Sequence, residues 1–339
     1  MDPFNASILT PVIDGTESYP GMESAIAFIS KWARIVCIAM GIPGNVVAFL
    51  VTIRKDNRHL SACVFMASLA IVDNIVLHQR MLYGILIALN EEFLLNKTFL
   101  GYCWYSGRFG AIASGLLLAA MTVDRAICVA FPMRAVDLCT ASKARKIAMV
   151  IILSQALIFL NVFFTYDILA PGHLVRSVPT APWVGALFDI YELVMGAILP
   201  FSLIAIGNAA IIISVRRAAN RRAEMSKTDM TSQKSRLQER SITRMLLFVS
   251  FAFLICQFPY RVSGILFEIP GVMTMYDMNS HYWKTRSLLQ KIVFTELFMA
   301  SFAVNFYLYF LGGGEKFRQD SKQLLLVCFK RRRATNQRT

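Results

Sequence analysis

Residues 104–131 read WYSGRFGAIASGLLLAAMTVDRAICVAF, and from Phe109 to Val123 none of them is charged. The stretch exceeds the roughly 20 apolar residues that a membrane-spanning helix needs. Six further segments share its character, at about 27–53, 61–89, 147–166, 183–215, 243–267 and 288–311. The prediction is an all-α membrane protein, a seven-helix transmembrane bundle. Composition agrees, for 56% of the 339 residues are hydrophobic and 17% charged, with a mean hydropathy of +0.53. That leaves too few charges to clothe a water-exposed core of this size. Seven cysteines are too sparse for a disulfide-stapled secreted fold. The short alternating segments of a transmembrane barrel are absent.

Basic residues set the expected orientation. Of the 35 Lys and Arg, 24 follow spans one, three, five and seven, whereas six fall in the amino-terminal region and the other loops. Positive charge favours the cytoplasmic side, so the chain is expected as a multi-pass plasma-membrane protein with its amino terminus outside. The first 29 residues carry Asp2, Asp14, Glu17 and Glu23 and no Lys or Arg. No cleavable signal peptide is apparent, and the first span is expected to act as its own insertion signal. The sequons at Asn5 and Asn96 both fall on the expected outside and are candidate glycosylation sites. The net charge of +14 sits mainly in loops beside spans. It reads as attraction to lipid headgroups, not as nucleic-acid binding.

Several short motifs recur at helical positions. They are Gly44-Asn45-Val46-Val47, Leu69-Ala70-Ile71-Val72-Asp73, Asp124-Arg125-Ala126, Pro200, Cys256-Gln257-Phe258-Pro259 and Asn305-Phe306-Tyr307-Leu308-Tyr309. Glu315-Lys316-Phe317-Arg318 follows the last. In this order, on these spans, they resemble the motifs of rhodopsin-like (class A) G-protein-coupled receptors over roughly residues 30–330. The resemblance implies an extracellular segment (1–26), a seven-helix bundle (27–311), and a short eighth helix with a cytoplasmic tail (312–339). It also implies a cell-surface receptor that binds an extracellular ligand and activates a heterotrimeric G protein, with no enzymatic activity. The cast of residues 200–217, with Asn208, is most similar to neuropeptide receptors, which makes a peptide the expected ligand. Membrane lipid and, as a further candidate, arrestin complete the expected partners.

The resemblance carries roles to particular residues. Asp73 lies mid-span, where a carboxylate is costly. With Ser114, Ser301 and Asn305 it matches a sodium-binding cluster, to which Asn45 belongs as part of the polar core; the alternative is a protonated acid bonded to a neighbouring helix. No other cofactor is expected, and no metal-ligand spacing of His, Asp or Glu stands out. Arg125 matches an activation switch with Asp124, Glu239, Pro259, Asn305 and Tyr309, in which a charge-assisted Arg125–Glu239 pair holds the third and sixth spans together at rest. Against it stands the plainer reading that Arg125 pairs with Asp124 and reaches for the headgroups. The basic segment 216–244 is expected as a solvated loop at the G-protein face. Cys328, before Lys330-Arg331-Arg332-Arg333, is a candidate palmitoylation site.

The sequence also departs from the family. The second outer loop, about Asp167–Pro182, contains no cysteine, so the usual disulfide to the third span is expected to be missing and Cys103 to be unbridged. Gln257 stands where the family carries a Trp in the sixth span. Gly107 occupies the position of an aminergic Asp, and Met299 that of a retinal-binding Lys, which excludes both ligands. The ligand candidates are Arg80, Arg108, Glu192, Gln257, Arg261 and Glu296, in the outer halves of the spans. Three arginines face two acids there, so the ligand is expected to bring a carboxylate or amide, although an ion-pair network without ligand is the competing reading. A receptor for a small carboxylate or chemosensory ligand is the nearest alternative. An ion-coupled transporter is the more distant one, since no internal repeat is found.

Overall fold

The computed structural model describes residues 19–89, 96–170, 173–176, 182–223, 230–268, 281–312, 316–324 and 326. The helix α1 (Pro20–Thr52) begins with proline at its first position, which loses no hydrogen bond there. The helix α2 (Ser61–Leu89) has the predicted bounds. Asn96 caps α3 (Lys97–Ala130), its Oδ1 accepting from the Phe99 N–H at 2.9 Å. After α4 (Pro132–Leu138), Thr140 caps α5 (Ala141–Phe159) by accepting from the Lys143 N–H. Among the described residues six helices are long and apolar enough to cross a membrane, and a bent pair makes the seventh span.

The fourth span runs over Ala141–Phe164, close to its expected end at about residue 166, but it is not one unbroken helix. Past Phe159 come a short α6 (Val162–Thr165) and then β1 (Tyr166–Ala170), paired antiparallel with β2 (His173–Arg176). Tyr166 faces Arg176 and Ile168 faces Leu174 in the ladder. The segment expected as a plain loop thus holds a hairpin. Its first strand, YDILA, continues the apolar run of the helix before it, and an apolar run alone does not distinguish strand from helix end.

The fifth span is α7 (Pro182–Leu193), a π-helical turn (Val194–Ile198) and α8 (Leu199–Ala223). Pro200 has no N–H to donate to the preceding turn, and the helix widens there. The sixth span lies in α9 (Met230–Glu268), which runs far beyond membrane length. The segment expected as a loop is therefore helical on both flanks, built from Arg, Ala, Gln, Glu and Lys, good helix formers in water.

The seventh span comprises α10 (His281–Ala303) and α11 (Asn305–Gly312), bent by 55° at Val304. No proline explains the bend. Asn45 of α1 donates its Nδ2 to the Phe302 carbonyl at 2.9 Å, the acceptor that an unbroken helix would give to Phe306. A side chain inserted into the backbone ladder is a sufficient cause of a kink. A further helix over 316–324 packs Phe317 against Tyr309, and Asp320 bonds Arg54 at 2.8 Å and Asn57 at 3.1 Å.

The bundle centres on α3, which packs against α2, α5, α8 and α9. Small residues let the helices approach: Gly110 meets Val76, Gly207 meets Thr122, and Gly41 lies between Leu77 and Ala303. The lipid-facing side shows Met149, Val150, Leu157, Ile206 and Ile255, whereas Asn45, Asp73, Asn208, Ser250 and Gln257 are buried. Polar groups inside and apolar ones outside is the arrangement that a lipid surround favours, since lipid cannot hydrogen-bond them.

Candidate functional site

Three layers of polar residues run along the bundle. The middle layer centres on Asp73, which is fully buried. Ser114 of α3 donates to its Oδ1 at 2.7 Å, and Asn305 of α11 donates to its Oδ2 at 2.6 Å. Three helices are thereby tied through one carboxylate. Ser301 accepts from Gln257 Nε2 at 3.2 Å and donates to the Phe298 carbonyl. The oxygens Asn45 Oδ1 and Gln257 Oε1 are buried with no hydrogen-bond partner among the described residues. Of the expected polar-core residues, Asp73, Ser114 and Asn305 are thus bonded together, whereas Ser301 pairs with Gln257, expected among the ligand residues, and Asn45 bonds the Phe302 carbonyl.

The second layer stands at the Arg261 end. Arg80 of α2 and Glu296 of α10 form an ion pair with both side chains 8% exposed. Arg108 of α3 pairs with Glu192 of α7, and its guanidinium lies 4.1 Å from the Trp104 ring centre. Arg261, one helical turn from Gln257 on α9, lies near enough to Glu192 and Arg108 to interact with their charges. Among the described residues it forms no ion pair; it lies 5.4 Å from the Phe298 ring and 5.9 Å from the Tyr260 ring. Its buried Nε has no hydrogen-bond partner. Gly196, in the π turn, gives it room, because a Cβ there would stand 3.1 Å from its Nη1. Sequence reasoning missed Arg34 of α1, which lies over Gly84, close enough to Arg80 and Glu296 to interact with their charges. A lone guanidinium a third of the way into a span was the available signal.

The third layer stands at the Arg125 end. Arg125 Nε donates to Asp124 Oδ2 at 2.9 Å, and its Nη2 donates to Ser61 Oγ at 2.6 Å. Ser61 donates in turn to Asp124 Oδ2 at 2.9 Å, closing a ring between α2 and α3. Arg125 therefore pairs with its sequence neighbour. Glu239 is in α9, but its side chain lies outside the described residues, as do Asn5 and Cys328. Pro259 sits inside α9, and Tyr309 is buried. Asn96 is exposed and uses Oδ1 for its cap, which leaves Nδ2, the atom that a glycan would take, unused by the cap.

The family model of the 7 transmembrane receptor (rhodopsin family) matches residues 44–309. The chain belongs to the rhodopsin family of seven-transmembrane receptors. The receptor is 26% identical to mouse somatostatin receptor type 3 over 293 residues, which cover 78% of this chain and 64% of that one. It is 24% identical to mouse somatostatin receptor type 2 over 274 residues, covering 77% and 71%, and 24% identical to rat somatostatin receptor type 1 over 262, covering 71% and 60%. The receptor thus spans a little under two thirds of the length of the first of these relatives. Its family is one of receptors and not of enzymes. Within it, Cys103 is buried and takes part in no disulfide.

Proposed function

We propose that the receptor sits in the plasma membrane with its amino terminus outside, binds a peptide at the Arg261 end, and activates a heterotrimeric G protein at the Arg125 end. One observation carries the ligand class: among the described residues Arg80 and Arg108 are ion-paired with glutamates, whereas Arg261 forms no ion pair and only shares the field of Glu192 with Arg108. A guanidinium does not deprotonate and has five donors to satisfy. A terminal carboxylate or amide of a peptide supplies the acceptor. The relatives named for somatostatin receive a peptide, which supports that class over a small carboxylate.

The middle layer suits a sodium ion. Asp73 would hold it, with Ser114, Ser301, Asn45 and Asn305 around it, an oxygen set matched to a hard cation. The orphaned Asn45 Oδ1 and Gln257 Oε1 fit the same chemistry. Bound there, sodium neutralises the carboxylate. The residues themselves hold α2, α3 and α11 together, and a ligand that shifts α10 relative to α3 strains those bonds. At the other end, Arg125 leaves Asp124 as α9 moves, and a cleft opens for the G protein. Lipid headgroups lie against the basic flanks, and arrestin competes for the same cleft.

The test is nucleotide exchange on purified G protein, driven by somatostatin and a peptide library in free-acid and amidated forms. Arg261→Gln should lower the potency of the active peptide at least tenfold at equal surface expression. Equal potency within threefold would overturn the assignment of Arg261. Activity with small carboxylates alone would replace the peptide.

A further inference from the structure

On α3, Asp124 and Cys128 stand four residues apart and so lie on one face. The short helix α4 then turns the chain back, and Cys139, its C-cap, brings its Sγ within 3.4 Å of the Asp124 carbonyl oxygen. The two sulfurs and a carboxylate oxygen of Asp124 all lie within 4.8 Å of one another. The three residues are half-buried, and neither cysteine is in a disulfide. We propose that Asp124, Cys128 and Cys139 form a binding site for a borderline-soft divalent cation, zinc above all, beside Arg125.

The donor set decides the cation. Thiolates select zinc over magnesium or calcium, which take oxygen. A tetrahedral zinc with Zn–S of about 2.3 Å sets its sulfurs about 3.8 Å apart, so the two sulfurs, within 4.8 Å of each other, need to close by no more than about 1 Å. The hydrogen bonds that Asp124 accepts from Arg125 and Ser61 fall on Oδ2, which leaves Oδ1 for the metal. Binding releases two thiol protons to solvent. The product, one Zn²⁺ with two thiolates and one carboxylate, carries one negative charge next to the Arg125 guanidinium. Three protein ligands leave the fourth position to water or to a donor from a docked protein. The metal fastens α4 to α3 and fixes the carboxylate that holds Arg125, so it favours the resting arrangement. This inference is independent of the ligand class proposed above.

The experiment uses the full-length receptor purified in detergent and kept reduced with a phosphine. Zinc is titrated against a chromophoric chelator, and cobalt(II) is added separately to read thiolate-to-metal charge transfer. The wild type should bind one equivalent more than the Cys128→Ser/Cys139→Ser double variant, and only the wild type should show the thiolate band. Each single Cys→Ser variant should weaken binding at least tenfold, while Cys37→Ser keeps it. Thermal unfolding of the Ser variants without metal confirms that they are folded. Equal stoichiometry in the wild type and the double variant overturns the site. So does a native Cys128–Cys139 disulfide found by mass spectrometry of unreduced protein.

Discussion

Arg80 and Glu296 are buried together with side chains 8% exposed, and neither is tolerable alone. Removing one partner of a buried pair costs about 3–5 kcal/mol, whereas replacing both with apolar groups is often close to neutral. Glu296→Gln leaves the Arg80 and Arg34 guanidiniums facing each other, so it should lower the thermal midpoint in detergent markedly. Arg80→Leu/Glu296→Leu should recover most of that loss, and a double variant as unstable as the single one would refute the pairing as the cause. Asp73 makes a different prediction, because its two neutral donors, Ser114 and Asn305, remain when the charge goes. Asp73→Asn should keep expression and abolish any effect of sodium on agonist affinity. Retention of that sodium effect would place the ion elsewhere. Both acids were visible in the sequence as carboxylates inside spans. Their partners, Arg80 for Glu296 and the neutral Ser114 and Asn305 for Asp73, were not, because those groups come from other helices.

The contact of α1 with α10 and α2 rests on an absent side chain. A Cβ at Gly41 would stand 2.5 Å from Leu77 Cδ1, 2.7 Å from Ala303 Cβ and 2.9 Å from Ala303 Cα. The last of these is backbone and cannot swing away. Gly41→Ala should therefore cost about 1–3 kcal/mol by overpacking, read as a lower thermal midpoint, while the gain in helix propensity at that position offsets only part of it. An unchanged midpoint would mean that the helices separate freely there. The same contact positions Asn45, one turn on, against the Phe302 carbonyl where the seventh span bends. The sequence shows no proline at that bend, and its cause lies on another helix. The hairpin between the fourth and fifth spans escaped the pattern reading for a related reason, since its ladder is a pairing and not a composition.

For the whole molecule, the absence of a cysteine between residues 167 and 182 means that the hairpin is held without the family's disulfide to α3. Ligand binding should be insensitive to mild reduction, and Cys103→Ser should reach the cell surface and bind as the wild type does. Failure of either, at equal expression, would reveal a bridge to another chain. At the opposite end, the ring of Arg125, Asp124 and Ser61 is the pairing that the structure describes, and we propose Glu239 of α9, expected from the sequence, as a further partner of Arg125. Glu239→Ala should then raise ligand-independent nucleotide exchange several-fold, and unchanged basal exchange at equal surface density would leave the ring as the whole of the resting contact. The linear chain by itself determined the seven spans, the membrane solvent and the family motifs, because hydrophobic length and motif order are properties of one segment at a time. It also showed more arginines than acids in the Arg261 half of the spans, although Arg34 was left out of that count. Only the tertiary structure decided that Arg261, among the described residues, forms no ion pair, that Asn45 bends the seventh span, and that Asp124, Cys128 and Cys139 meet. Each of these depends on distances between residues remote in the chain or turned back on it, and packing sets those distances.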